Sequence, residues 1–153
     1  MAHKFNNLGV EELRAHMPQE FDFTLVTLKG HLLIEAMLDD YIRSMLAKPD
    51  ALLDKTRLQF DTKVKLAYAL SGDDSPPILW GAIEILNKIR NSLAHRLTDA
   101  NLDRLRAEFV RLVAQIGFNV VFGDDEDSAY VGSIGFLLGL LDALVGHRGD
   151  PPE

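Results

Sequence analysis

The fold is decided by the stretch from residue 77 to residue 96, which reads PILWGAIEILNKIRNSLAHR. Its large apolar residues recur three and four positions apart, which is the spacing of one face of an α-helix. The preceding residues 74–77 read DSPP and supply a capping side chain followed by proline in the first helical turn. We therefore predict a helix over residues 77–96, with an apolar stripe of Leu79, Ile83, Leu86, Leu93 and Leu97.

Helical spacing also occurs on both sides of this stretch, and the one isolated strand candidate is at residues 118–122. Proline and glycine mark the ends of several helical segments. These segments lie at about residues 10–16, 23–47, 60–70, 98 or 99 to 116, and 128–145, with a possible turn at 52–58. We predict an all-α fold, an antiparallel helical bundle in which helices 23–47 and 77–96 pack together.

The composition bounds the organisation of the chain. Its 153 residues contain no internal repeat or dividing linker, so we predict one domain over 1–153 with its core at about 23–146. The absence of cysteine excludes disulfides, thiolate metal sites and a cysteine nucleophile. Residues 1–7 lack the apolar core of a secretory signal, so we expect a cytoplasmic protein. Residues 129–145 are apolar but short for a span and contain Asp142, which favours a buried helix and no membrane partner.

The charge of the chain is unevenly distributed. Its net charge is −7, with 23 acidic and 16 basic residues, so we expect no sequence-specific binding to duplex DNA. Between residues 86 and 97, however, the charged and titratable residues are Lys88, Arg90, His95 and Arg96, without an acid. This local excess is compatible with a small anion-accepting site in an acidic protein.

Arg90 falls near the middle of the predicted apolar stripe, where an arginine is costly unless it is paired or faces a polar cleft. Asn91 and His95 are four positions apart and share a helix face. Two interpretations follow. In the structural one, Arg90 pairs with Asp39 or Glu35 on the first long helix. In the functional one, Arg90, Asn91 and His95 line a cleft that binds a phosphate.

The first long helix carries apolar residues on two sides, which predicts burial on several sides. One side consists of Leu25, Leu28, Leu32 and Ala36, and the other of Ile34, Leu38, Tyr41 and Met45. His31 and Glu35 have the spacing of a metal-binding pair but lack a third ligand, so we expect no metal and interpret His31 as a helix-face residue. Trp80 is predicted to be a packing residue.

The last helix carries Gly135, Gly139 and Ala143 at four-residue spacing. Small residues in such a row allow a second helix to approach closely. We expect this row to pack inside the domain, and the alternative is the seam of a two-fold dimer.

The segment Arg90-Asn91-Ser92-Leu93-Ala94-His95 resembles the Arg-x4-6-His motif of the HEPN superfamily, including the polar residue that commonly follows its arginine. Residues 31–39, HLLIEAMLD, and 60–70, FDTKVKLAYAL, extend this resemblance. Together with the motif they are similar to proteins like the mannitol operon repressor, over about residues 24–97.

The resemblance implies a helical bundle, often dimeric. Many members are metal-independent RNases of toxin–antitoxin and antiviral systems, while others have lost catalysis. In a catalytic member, His95 would act as general base or acid, Arg90 would stabilise charge on the phosphorane, and Asn91 would orient His95 or a phosphate oxygen. No cofactor is expected. The expected partners are RNA, an antitoxin or regulatory protein, and a second copy of the chain. Two functions stay open: an endoribonuclease of stress or defence, and a non-catalytic regulator that binds a partner protein.

Overall fold

The computed structural model describes residue 15 and residues 19–95, 100–117 and 125–146. Within these residues the fold is an all-α bundle without strands. Apart from residue 15, the segments predicted at 10–16 and 118–122 lie outside them. The described helices are α1 (Phe23–Met45), α2 (Pro49–Leu53), α3 (Phe60–Ser71), α4 (Pro77–His95), α5 (Leu102–Gln115) and α6 (Glu126–Gly146), with a 3-10 turn (Gly72–Asp74) between α3 and α4.

Local sequence signals set several helix ends. The Asp22 side chain accepts a hydrogen bond of 3.0 Å from the backbone nitrogen of Leu25, which caps the start of α1. Gly72 follows α3 with φ 57°, and Gly117 follows α5 with φ 107°. Both values lie in the left-handed region that favours glycine, so both predicted helix ends are confirmed. Before α6, Asp125 accepts a hydrogen bond of 2.7 Å from the backbone nitrogen of Ser128.

Helix α1 packs against α3, α4 and α6. Its contacts with α4 run in opposite directions along the two helices, because His31 meets Asn87 and Tyr41 meets Trp80. This pair confirms the predicted antiparallel packing of the first long helix on the central helix. Trp80 is buried, as predicted, and its Nε1 donates a 2.8 Å hydrogen bond to Ser75 Oγ at the turn before α4.

The contact between α1 and α6 differs from the prediction of a purely antiparallel bundle. Thr27 Oγ1 and Tyr130 Oη lie 2.6 Å apart, and one turn later Gly30 faces Ile134, so the contacts advance in the same direction along both helices. A Cβ atom at Gly30 would lie 2.8 Å from Ile134 Cγ2. The missing side chain at Gly30 therefore permits the close approach of α6.

The small-residue row of α6 does not pack inside the bundle along its length. Gly135 is buried, but Gly139 and Ala143 are exposed, and a Cβ atom at Gly139 would meet nothing within 4 Å. The expectation of intramolecular packing is therefore wrong for the second half of the row. By length and composition α6 could cross a membrane, but a buried core helix passes the same test, and its Leu137 and Leu141 are fully buried.

One side of α1 is uncovered, contrary to the predicted burial on several sides. Leu32 is 64% exposed, Leu28 is 37% exposed and Ala36 is also exposed. The opposite apolar side is covered, since Ile34, Leu38 and Tyr41 have no exposed surface. Of the two predicted apolar stripes, the structure buries one and leaves the other largely open.

Candidate functional site

The packing of α4 determines the surroundings of the predicted site. Ile83, Leu86 and Ile89 point into the core and are fully buried. Arg90 follows directly and is half-buried, while Asn91 is exposed. Arg90 Nη1 donates a hydrogen bond of 3.2 Å to Asn91 Oδ1. The structure thus brings these two predicted site residues together at the edge of the core.

His95, the third predicted site residue, is the last residue of α4 and is exposed. Within the described residues, no hydrogen bond or ion pair joins it to Arg90 or Asn91. Five positions along a helix correspond to a rise of about 7.5 Å. His95 therefore lies beyond the Arg90–Asn91 pair, on the same exposed end of the helix, rather than in contact with it.

The two acids of α1 are held by Lys63 of α3. Lys63 Nζ lies 3.0 Å from Glu35 Oε1 and 3.0 Å from Asp39 Oδ1, and its side chain is only 12% exposed. Burial opposes the charge on Lys63, but the hydrogen bonds that the ammonium donates to Glu35 and Asp39 outweigh this effect and raise its pKa above the usual value.

This arrangement corrects the structural interpretation of Arg90. That interpretation required a pair with Glu35 or Asp39, and both carboxylates bind Lys63 instead. Among the described residues, no carboxylate lies within ion-pair distance of the Arg90 guanidinium. Its described side-chain contact is the neutral amide of Asn91. A half-buried arginine without an acidic partner is a group suited to receiving an anion.

His31, which the sequence predicts to be a helix-face residue, is part of the same region. It is only 6% exposed. Its Nε2 lies 3.1 Å from Asn87 Oδ1, so the ring donates to the amide oxygen. Its ring stacks on Phe60 with a centroid distance of 3.9 Å and an angle of 27°. His31 therefore links α1 to both α3 and α4.

The environment of His31 disfavours a proton on its ring. Burial lowers its pKa below the usual 6.5, and the positive charge of Arg90 lowers it further. The hydrogen bond to Asn87 and the negative charge of Glu35 act in the opposite direction without reversing the shift. The ring is therefore neutral at pH 7.

A helical-wheel signal for this burial is present in the sequence. His31 precedes Ile34, Leu38 and Ile42 by three, seven and eleven positions, which is the spacing of one helix face. Those three residues are fully buried. The sequence therefore places His31 on the same face as these apolar residues, and the structure shows that this face is the covered one.

A small cavity opens beside the Lys63 network. Its volume is about 140 Å³, and residues of α1, α3 and the α2–α3 connection line it. Of its cationic groups, Lys63 binds two acids, and Arg43 binds Asp50 at 2.9 Å and Asp54 at 2.6 Å. Among the described lining cations, only Arg57 has no acidic group within ion-pair distance. The charges around this cavity are therefore largely balanced.

No metal site is evident in the region that the structure describes. No group of three or more histidine, cysteine, aspartate or glutamate side chains is placed to hold an ion there. His31 and Glu35, which have metal-pair spacing, are engaged with Asn87 and Lys63 respectively.

Comparisons with known proteins add no relative. No protein-family model, no curated protein and no solved structure matches the chain.

Proposed function

We propose that the chain is a HEPN-like helical domain that acts as a metal-independent endoribonuclease, with Arg90, Asn91 and His95 as its site. The observation that carries this proposal is that Arg90 lies at the edge of the core without an acidic partner among the described residues. Arg90 is half-buried, and Glu35 and Asp39 of α1 pair with Lys63 rather than with Arg90. The Arg90 guanidinium is thus available to bind a phosphate.

The chemistry requires no group beyond the RNA and these side chains. The 2′-hydroxyl attacks the neighbouring phosphorus and loses its proton to a base, while the bond to the 5′-oxygen breaks and that oxygen gains a proton. The products are a 2′,3′-cyclic phosphate and a 5′-hydroxyl end. Arg90 stabilises the charge of the phosphorane, and Asn91 holds the guanidinium or a phosphate oxygen. His95 carries one of the two proton transfers.

The second proton transfer explains why a two-fold dimer belongs to the proposal. One imidazole cannot serve both transfers at the same time. A two-fold axis near the end of α4 would bring the His95 of a second copy to the same phosphate. The exposed position of His95 at the end of α4 supports this arrangement.

The test is RNA cleavage by the purified chain in EDTA. We expect cleavage by the wild type and at least a hundredfold slower cleavage by Arg90→Gln and by His95→Ala, since each removes a group that acts on the transition state. Arg111→Gln is the matched control, because Arg111 is an exposed arginine on α5. Equal rates for wild type and Arg90→Gln would contradict the proposal.

A second function is favoured by a different observation. Leu28 and Leu32 expose 37% and 64% of their surface in one stripe of α1. Exposed apolar stripes on a helix commonly mark protein–protein contacts. In this alternative, the chain is a non-catalytic regulator, like the mannitol-repressor group, that binds a partner protein or antitoxin through α1. If this alternative is correct, the Arg90→Gln variant binds the partner protein as tightly as the wild type does, and the Leu32→Glu variant does not bind it.

A further inference from the structure

The imidazole of His31 is a titratable group inside the bundle that takes no part in the cleavage chemistry proposed above. Phe60 covers one face of its ring at 3.9 Å, and Asn87 binds its Nε2 at 3.1 Å. Asn87 precedes Arg90 by three positions, so the two residues lie one turn apart on the same side of α4. His31 thus contacts the helical turn that carries the proposed phosphate-binding arginine.

The charged groups around this ring come from three helices. Arg90 of α4 opposes a proton on the ring, and Glu35 of α1 favours one. Lys63 of α3 binds Glu35 at 3.0 Å and so weakens the favourable effect of that carboxylate. On the side of α1 that faces α6, the neighbouring position Gly30 meets the apolar Ile134. Among these charges, neutralising that of Arg90 would therefore have the largest effect on protonation of the His31 ring.

We propose that binding of a phosphodiester at Arg90 is coupled to uptake of a proton by His31, so that the site holds RNA more tightly in weak acid. The inference rests on the phosphate contact proposed for Arg90, but it does not require cleavage. A bound anion cancels the positive charge that faces the ring, and a protonated ring in turn attracts the anion. By linkage, protonation and binding strengthen each other by the same factor. His31 acts here through Arg90 and does not touch the phosphate.

The binding test uses a single-stranded deoxyuridine oligomer, which has no 2′-hydroxyl and no group that titrates between about pH 6 and pH 8. We expect the wild type to bind it about threefold or more tightly at pH 6 than at pH 8. The matched pair is made in the His95→Ala background, where the imidazole of the proposed site cannot contribute to the pH dependence. There we expect the chain with His31 to keep the pH dependence and the chain with His31→Gln, whose amide can still donate to Asn87, to lose it. An equal pH dependence in these two proteins overturns the inference, as does the absence of binding at both pH values.

A second measurement remains informative if His31→Gln fails to fold. An NMR titration of the His31 ring in the wild type should give a higher pKa in the presence of the oligomer than in its absence. In Arg90→Gln the pKa should be higher than in the free wild type and should not respond to the oligomer. An unchanged pKa in all three states overturns the inference.

The two proposals fail separately. If the oligomer binds with proton uptake but RNA is not cleaved, the proposed ribonuclease activity is refuted and the coupling of binding to His31 protonation is supported. If RNA cleavage requires Arg90 but oligomer binding shows no pH dependence from His31, the ribonuclease proposal is supported and the role of His31 is refuted.

Discussion

At the residue scale, Lys63 rather than Arg90 binds the two acids of α1. Glu35 and Asp39 are four positions apart and face α3, so one ammonium can bridge them at 3.0 Å each. The sequence showed that α1 offers acids to a neighbouring helix. It did not show which helix would receive them, because that depends on how α3 and α4 rotate against α1.

We expect Lys63→Met to destabilise the fold, because it leaves two partly buried carboxylates without a cation. Breaking a fully buried pair costs about 3–5 kcal/mol. The side chains of Glu35 and Asp39 are 30% and 34% exposed, so water reduces the loss, and we expect about 1–2 kcal/mol. Urea denaturation measures the change.

The control for this experiment is Lys65→Met. Lys65 pairs with Asp61 at 2.8 Å on the outside of the same helix, with side-chain exposures of 68% and 55%. Such a solvated pair contributes little, so no measurable change is expected. An equal loss for both variants would show that the bridging position of Lys63 has no special effect on stability.

The buried ring of His31 predicts a pH dependence of stability. Its pKa in the folded state is lowered from 6.5, mainly by burial, so the unfolded chain takes up the proton first on acidification. The contribution of His31 to the free energy of unfolding is therefore complete above the unfolded pKa of 6.5 and is lost as the pH falls below it. Unfolding of wild type and His31→Gln across this range measures the effect. The difference between them should shrink toward low pH, and a difference that does not change with pH would contradict the prediction.

At the element scale, the sequence predicted the existence and type of the long helices. The predicted starts of α1, α3 and α4 are those observed, and glycine correctly marked the ends of α3 and α5. The direction of α6 relative to α1 was not predictable, because it depends on one close contact between distant positions. The open stripe of α1 was also missed, since two apolar faces on one helix do not reveal which one receives neighbours.

The close contact of α1 and α6 makes a prediction about Gly30. Its Cβ would lie 2.8 Å from Ile134 Cγ2, a methyl group of a fully buried branched side chain. Overpacking of this kind costs about 1–3 kcal/mol, which exceeds the gain of about 1 kcal/mol from placing alanine in a helix. We expect Gly30→Ala to lower the melting temperature.

Gly81→Ala is the matched control for Gly30. Gly81 lies inside α4, and a Cβ there would meet nothing within 4 Å. The substitution should therefore stabilise the fold by about 0.4–1 kcal/mol through helix propensity and reduced freedom of the unfolded chain. A higher melting temperature for both variants would show that α6 can withdraw from α1 without loss.

At the scale of the whole molecule, two open surfaces compete for the proposed dimer contact. One is the leucine stripe of α1, in which Leu32 is 64% exposed. The other is the exposed part of the small-residue row of α6, which includes Ala143. We expect a dimer at tens of micromolar in sedimentation velocity experiments. Both substitutions, Leu32→Glu and Ala143→Glu, change exposed positions and should leave the monomer folded.

The substitution that converts the dimer to monomers identifies which of the two surfaces forms the dimer contact. Since α1 presents the larger apolar side chains, Leu32→Glu is expected to dissociate the dimer and Ala143→Glu to leave it intact. A monomeric wild type at these concentrations would contradict the proposal that the His95 side chains of two copies act on one phosphate.

In the mechanism proposed above, Arg90 and His95 promote attack by the RNA 2′-hydroxyl without a metal ion. The most direct measurement is the chemistry of the product ends, using an RNA with a single 2′-deoxy nucleotide at a cleaved position, in EDTA. We expect 2′,3′-cyclic phosphate ends at every other cleaved position, no cleavage at the deoxy position, and at least a hundredfold slower product formation with Arg90→Gln. Products with 5′-phosphate ends, cleavage at the deoxy position, or equal cleavage by Arg90→Gln would contradict it.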